Sequence, residues 1–234
     1  AQYLAGQLDA AKLSYAKAVA NNPAYEEALV RHAATASLEQ RGAAVLAAVE
    51  NAVASRPGMA QTALEILERS AEYYCFHGYH ADAAALYEWM ASHHTIVPRL
   101  DRRIELLLHA ARAYALADIG EAALEKCLDV VAIAPEDMAA ALRIDDILVK
   151  RIATHNRARF WRRATRQCPD AVAPWLQFAD ALKKQNRHEA ALAAYGVALA
   201  NMPAHSDFAL AYAFAASWAL DVETICWLFN KAIE

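Results

Sequence analysis

Residues 172–205 read VAPWLQFADALKKQNRHEAALAAYGVALANMPAH, and this stretch decides the fold. Ala198 lies five residues before Pro203, and Tyr195 lies three residues before Ala198. A small and a bulky residue at this spacing share one face of a helix, where the small one lets a neighbouring helix approach and the bulky one fills the gap beside it. Proline then ends the helix, because it lacks an N–H group and disfavours helix at the residue before it.

The same arrangement recurs along the chain. Six of the seven prolines lie at successive gaps of 34, 41, 37, 34 and 34 residues. These prolines are Pro23, Pro57, Pro98, Pro135, Pro169 and Pro203. The small and bulky partners keep the same offsets before three of the others, as Tyr15 and Ala18, Val49 and Ala52, and Trp161 and Ala164. A period of this length is typical of helical repeat proteins.

These residues resemble the tetratricopeptide repeat, a helix–turn–helix unit of about 34 residues. The match in 172–205 consists of Trp175, Ala179, Ala191, Tyr195, Ala198 and Pro203. The resemblance covers essentially the whole chain in about seven units, 1–25, 26–59, 60–103, 104–137, 138–171, 172–205 and 206–234. The unit at 60–103 is longer than the others and is an irregularity or a seam between sub-arrays. Asp145, Cys127, Val130 and Met90 depart from the residues usual at their positions.

The resemblance implies an all-α fold, a right-handed superhelical solenoid of antiparallel helix hairpins. Composition agrees, because glycine and proline number only 6 and 7 and no long stretch alternates apolar and polar residues. We expect one array over 1–234. Both ends cut a repeat in the middle, and the aromatic segment 206–234 lacks a polar capping helix, so we expect a longer polypeptide, or packing or self-association through that end.

Motifs of catalysis are absent, so this chain alone is predicted not to be an enzyme, and no catalytic residue, cofactor or metal is predicted. His188 and Glu189 begin a zinc-protease pattern, but Leu192 stands where its second histidine is needed. Cys75, His77 and His80, with His93 and His94, have the residue types of a metal site, and we interpret them as turn histidines and a packed thiol. The cysteines form no CxxC pair, which favours a reducing, cytoplasmic setting.

In the tetratricopeptide family, the first helices of the repeats line a concave groove. The residues predicted to face a partner there are Arg31, Arg69, His109, Arg112, Arg143, Lys150, Gln177, Lys183, Lys184, Phe214 and Trp218. A row of arginines suits an extended acidic peptide, because guanidinium groups bind carboxylates in a bidentate manner. The alternative is that these residues are solvated, some of them paired with Glu72, Asp146 or Asp180.

The resemblance implies a protein–protein interaction scaffold that binds a peptide or protein in its concave groove. The row of arginines favours an acidic partner. The alternative is the substrate-recognition module of a larger enzyme such as a glycosyltransferase, although the asparagine ladder of those repeats is missing. A third interpretation is RNA processing, because 159–164 resembles a half-a-tetratricopeptide repeat and 150–166 holds seven basic residues and no acidic one. The net charge of −4 argues against nucleic acid, and the apolar run 208–220 is too short to cross a membrane.

Overall fold

The structure is a computed structural model that describes residues 8–22, 28, 41–55, 60–93, 97–152, 156–203, 205–216, 226 and 230. Over these ranges the regular secondary structure is helical, and no strand occurs among them. The helices are α1 (Leu8–Asn21), α2 (Arg41–Ser55), α3 (Ala60–Phe76), α4 (His80–Ser92), α5 (Leu100–Leu116), α6 (Gly120–Ile133), α7 (Met138–Arg151), α8 (Asn156–Gln167), α9 (Val172–Lys184), α10 (His188–Asn201) and α11 (Ser206–Ala216). The predicted all-α fold is confirmed.

Three of the hairpins are closed by the same three-residue turn. Its central residue has a positive φ, at 80° for Gly78, 61° for Asp118 and 57° for Asn186. In each turn the N–H group of the following residue donates to a carbonyl five residues earlier, a Schellman hydrogen bond that satisfies a helix end. These bonds are Tyr79 N to Tyr74 O (2.8 Å), Ile119 N to Tyr114 O (2.9 Å) and Arg187 N to Leu182 O (3.0 Å). So short a turn makes the joined helices antiparallel, as the repeat predicted.

The chain divides into two compact units, 1–126 and 127–234, with the boundary inside α6. In the first unit α3 packs on α2 and α4, and α4 also packs on α5. In the second unit each helix from α7 to α11 packs on the next one along the chain, and α7 also reaches α9. Successive hairpins therefore bury their apolar faces against their neighbours within each unit. The single array over 1–234 stays a prediction.

The residues of the repeat motif form the core. Ala164, Ala179 and Ala198 are fully buried, and the bulky Trp161 and Tyr195 are buried beside them. Small residues thus let helices approach where the sequence pattern predicted contact.

The departures from the motif are also buried. Met90, Cys127 and Val130 are each 0 % exposed. Burial, with a smaller effect of Asp129, raises the pKa of the Cys127 thiol to about 12. Cys127 is therefore a protonated, apolar core residue.

Candidate functional site

The predicted groove residues of the first unit are exposed. Arg69 lies on α3, and His109 and Arg112 lie on α5. The His109 ring stacks on Tyr87, with ring centroids 5.2 Å apart and planes at 26°. Arg31 lies outside the described residues. These positions leave the cationic groups at the surface, and their role as a partner site stays a prediction.

Two of the three predicted lysines of the second unit, Lys150 and Lys184, are exposed and paired with acids of their own helices. Lys150 Nζ lies 2.7 Å from a carboxylate oxygen of Asp146, and Lys184 Nζ lies 3.1 Å from one of Asp180. Each pair joins residues four apart on one helix, which contributes little to stability at an exposed site. The alternative interpretation, that some groove residues pair with acidic neighbours, therefore describes these two lysines.

The remaining predicted residues of the second unit differ in accessibility. Lys183 Nζ lies 6.0 Å from the centre of the Tyr195 ring. Arg143 and Phe214 are exposed, whereas Trp218 lies outside the described residues. Gln177 is buried, and its amide nitrogen is 3.8 Å from the sulfur of Met138. The side chain of Gln177 thus packs against α7, and its role as a partner contact stays a prediction.

A buried charge network explains why Asp145 stands where a small residue is usual. Arg157 is 4 % exposed, and its Nε donates to an oxygen of Asp145. Trp161 Nε1 donates to the same oxygen at 3.1 Å, and the second arm of Arg157 donates to Asp180 at 2.7 Å. One guanidinium thus joins α7, α8 and α9. A buried charge is tolerated when opposite charges and hydrogen bonds surround it in this way.

The same network sets the protonation state of Asp180. Partial burial alone would raise its pKa, but hydrogen bonds from Arg157 and Lys184 outweigh that effect and hold the pKa below its ordinary value. Asp180 is therefore a carboxylate at neutral pH, committed to two cations of its own unit.

A cleft of about 600 Å³ opens in the second unit between α8, α9 and α10. Four exposed arginines line it, Arg159, Arg162 and Arg166 from α8 and Arg187 from the turn before α10. Among the described residues that line the cleft none is acidic. None of the four guanidinium groups forms an ion pair within the described part of the chain. We refer to this feature, with its four arginines, as the arginine cleft.

The floor of the arginine cleft is apolar. Trp175, Phe178 and Leu182 of α9 form its base, and Ala190, Ala193, Ala194 and Val197 of α10 form one wall. The indole nitrogen of Trp175 donates to the carbonyl of Pro169 at 2.8 Å, which fixes that ring in the base. Val197 is 49 % exposed and offers an open apolar surface. The cleft therefore combines positive charge at its rim with apolar surface inside.

The arginine cleft does not coincide with the predicted groove. It is flanked by α8 and α10, the second helices of their repeats, whereas the predicted residues lie on first helices. The sequence did single out Arg159, Arg162 and Arg166 within a basic stretch, and their spacing of three and four residues is the signal that they share a helix face. Arg187 and Val197 were missed, because they come from another repeat.

Of the residues considered for a metal, Cys75, His77 and His80 lie around the turn between α3 and α4, whereas His93 follows the other end of α4. Burial, with a smaller effect of Glu72, raises the pKa of the Cys75 thiol. The His77 ring packs on Tyr73, with centroids 4.2 Å apart, and His94 lies outside the described residues. Within the described ranges no group of three or more histidine, cysteine or acidic residues is placed to hold a metal ion.

No helix in the described part of the chain combines the length and the apolar character needed to cross a membrane.

Comparisons with known proteins give structural likeness alone. No protein-family model and no curated protein matched the chain. Among solved structures, MamA (MSR-1, C2) is 18 % identical, with 73 % of this chain and 94 % of that chain covered and a TM-score of 0.38. YrrB, described as a tetratricopeptide protein with an unusual peptide-binding site, is 16 % identical over 79 % of this chain and 90 % of that one, with a TM-score of 0.38. A tetratricopeptide repeat protein from Parabacteroides merdae is 15 % identical over 100 % of this chain and 95 % of that one, with a TM-score of 0.33. On its own hairpins and buried motif residues, the chain has a tetratricopeptide-like helical repeat fold.

Proposed function

We propose that the chain is a protein-interaction scaffold, which acts by binding a peptide or protein partner and not by catalysis. The observation that supports this function is the arginine cleft. Protein interfaces are enriched in arginine and place apolar surface at their centre with polar groups at the rim. The cleft has that arrangement, and its volume lies within the range of about 300–1,000 Å³ that ligand pockets occupy.

Further residues belong to the same proposal. The exposed Arg69 and Arg112 of the first unit and Arg143 of the second unit remain proposed partner contacts on the first helices. These residues and the arginine cleft are separable by mutation because they share no arginine.

The test is an affinity pull-down from lysate of the source cell with three forms of the full chain. These are the wild type, an Arg162→Glu/Arg166→Glu variant of the arginine cleft and an Arg69→Glu/Arg143→Glu variant of the first helices. Both variants exchange two exposed arginines for glutamate, so their net charges are equal. Helical circular dichroism confirms that each is folded.

We expect a protein retained by the wild type to be lost from the cleft variant. Loss from the first-helix variant alone would move the partner site to the first helices and leave the scaffold function intact. If no protein is retained above an unrelated helical control of equal charge, the proposed function is wrong. Retention of nucleic acid in place of protein would favour the RNA interpretation.

A further inference from the structure

We propose that the arginine cleft binds an acidic peptide segment that inserts an apolar side chain between α8 and α10. This inference rests on the proposed scaffold function and names the chemistry of its partner. It differs from the groove predicted from the sequence, because the arginines of the cleft lie on the second helix α8 and in the turn before α10.

The arginines of α8 form a row. Arg159, Arg162 and Arg166 follow one another at three and four residues, so their side chains leave the helix on one face. At a rise of about 1.5 Å per residue, the first and last lie about 10 Å apart along the helix axis. Arg187 lines the same cleft at the start of α10. A peptide lying in the cleft would therefore meet cations along its length.

The carboxylates of Asp145, Asp180 and Glu136 form no ion pair with this row. Asp145 and Asp180 are engaged by the buried Arg157, and Asp180 also accepts from Lys184. Glu136 accepts two hydrogen bonds from the backbone N–H group of Val172, at 3.1 and 3.3 Å. The arginines are therefore available to carboxylates of a ligand, and charge-assisted, bidentate pairs with carboxylates are among the strong hydrogen bonds that arginine forms.

The apolar interior of the arginine cleft favours an apolar side chain in the bound peptide. Val197 is half exposed, and the alanines of α10 leave room beside it. Burial of apolar surface contributes about 25 cal/mol per Å², so an aliphatic side chain over Val197 adds affinity that charge alone does not give.

Nucleic acid fits the cleft less well than a peptide does. Trp175 is only 9 % exposed and its indole is tied to the backbone of Pro169, so its face is not open to a stacked base. Base stacking on exposed aromatic rings is the usual source of sequence-tolerant affinity for single strands. The observations therefore favour an acidic peptide.

The test measures fluorescence anisotropy of labelled probes with the purified 234-residue chain. The first probe is a synthetic peptide of alternating glutamate and leucine residues in a short run. The second replaces its glutamates with lysines, the third replaces its leucines with serines, and the fourth is an oligouridine RNA. We expect the first probe alone to bind well, and we expect its affinity to fall as salt is raised, because ion pairs at an open site are screened.

Two pairs of matched variants locate the binding. Arg162→Glu should weaken binding of the first peptide by about tenfold, because a charge-assisted bond becomes a repulsion. Arg163→Glu is its control, since Arg163 is the exposed neighbour on α8 that does not line the cleft. Val197→Asp should also weaken binding, whereas Leu142→Asp, at a similarly exposed apolar residue of α7, should not.

The outcomes separate the partner chemistry from the scaffold function. Equal weakening by Arg162→Glu and Arg163→Glu, tight binding of the serine peptide or preference for the RNA probe would each overturn the acidic, apolar ligand. If the lysate partner is retained through the cleft but is not displaced by the first peptide, the scaffold function stands and this inference fails. Binding of the first peptide without any retained protein in lysate would leave the cleft chemistry in place and remove the scaffold function.

Discussion

At the scale of single residues, Asp145 shows both the strength and the limit of the repeat pattern. The pattern identified 145 as a position that is usually small, and it could not say why an acid occurs there. The reason is Arg157, twelve residues along, whose buried guanidinium needs a carboxylate within the hairpin. Such a partnership depends on where two helices cross, which the spacing of apolar residues does not encode.

Asp145→Ala should lower the free energy of unfolding by about 3 kcal/mol, because it leaves part of a buried charge uncompensated. The measurement is a urea titration followed by helical circular dichroism. Asp146→Ala is the control, since it removes an exposed i,i+4 pair with Lys150 and should change the same quantity by less than about 1 kcal/mol. Equal losses would show that the buried network does not stabilise the fold.

A second residue-scale contact joins α4, α5 and α6 within the first unit. The Tyr114 hydroxyl donates to a carboxylate oxygen of Glu88 at 2.6 Å, and Lys126 donates to the other oxygen at 2.8 Å. Burial and this hydrogen bond raise the pKa of Tyr114 to about 12, above an ordinary value of about 10. Because the folded state binds this proton more tightly, its contribution to stability is complete below about pH 10 and is lost as the pH rises through about 12.

Tyr114→Phe should therefore destabilise the protein at about pH 8 by about 1 kcal/mol, and the difference from wild type should shrink at alkaline pH. Urea midpoints of both forms across this pH range give the measurement. Tyr87→Phe is a useful comparison, because burial also raises the pKa of Tyr87 to about 12 and its aromatic ring packs on His109. A Tyr114→Phe difference that does not change with pH would contradict the assigned hydrogen bond.

At the scale of elements, three hairpin turns share one backbone geometry, whereas the sequences of the helices that they join differ. Gly78, Asp118 and Asn186 occupy the same left-handed position, and the last two lie 68 residues apart, two repeat lengths. Glycine takes this conformation without strain, whereas asparagine and aspartate tolerate it through local hydrogen bonding. The proline spacing predicted where hairpins occur, but these turns contain no proline and only one glycine, so their geometry was not evident from the sequence.

Gly78→Ala should destabilise the fold by about 1 kcal/mol, because alanine is strained at a φ of 80°. The added Cβ would meet open space, so the loss is conformational and not steric. Gly120→Ala is the matched control, since its Cβ also meets open space but the residue begins α6 with ordinary helical backbone. That change should stabilise the protein by about 0.5 kcal/mol. Shifts of the thermal midpoint relative to wild type, downward for Gly78→Ala and upward for Gly120→Ala, would establish the contrast.

At the scale of the whole molecule, the class of fold was predictable and the arginine cleft was not. The fold class follows from a sequence period that recurs in almost every repeat, so the departure of single residues from the motif does not change the predicted fold. The cleft needs three helices and a turn from two repeats to bring arginines and apolar side chains together. The sequence identified three of its arginines but placed the partner site on the first helices, where the family resemblance directs attention.

Within each compact unit the hairpins pack on their neighbours along the chain, so stability should be local. Hydrogen exchange of the Asp145→Ala variant should therefore accelerate in α7, α8 and α9 and remain unchanged in α3 and α4. Peptide-resolved mass spectrometry gives the measurement, with Asp146→Ala as reference. Equal acceleration in α3 and α4 would mean that the two units unfold as one cooperative block.

The reactivity of the buried Cys127 thiol reports on transient opening of α6. This thiol is fully buried and protonated at neutral pH, and it lies at the boundary between the two units. Alkylating reagents attack thiolates, so Cys127 reacts only while α6 is transiently opened. Cys75 and Cys168 are partly accessible and Cys226 is exposed, and digestion separates their peptides from that of Cys127. The alkylation rate of one natural side chain thus reports how often the middle of the chain opens, without any introduced label.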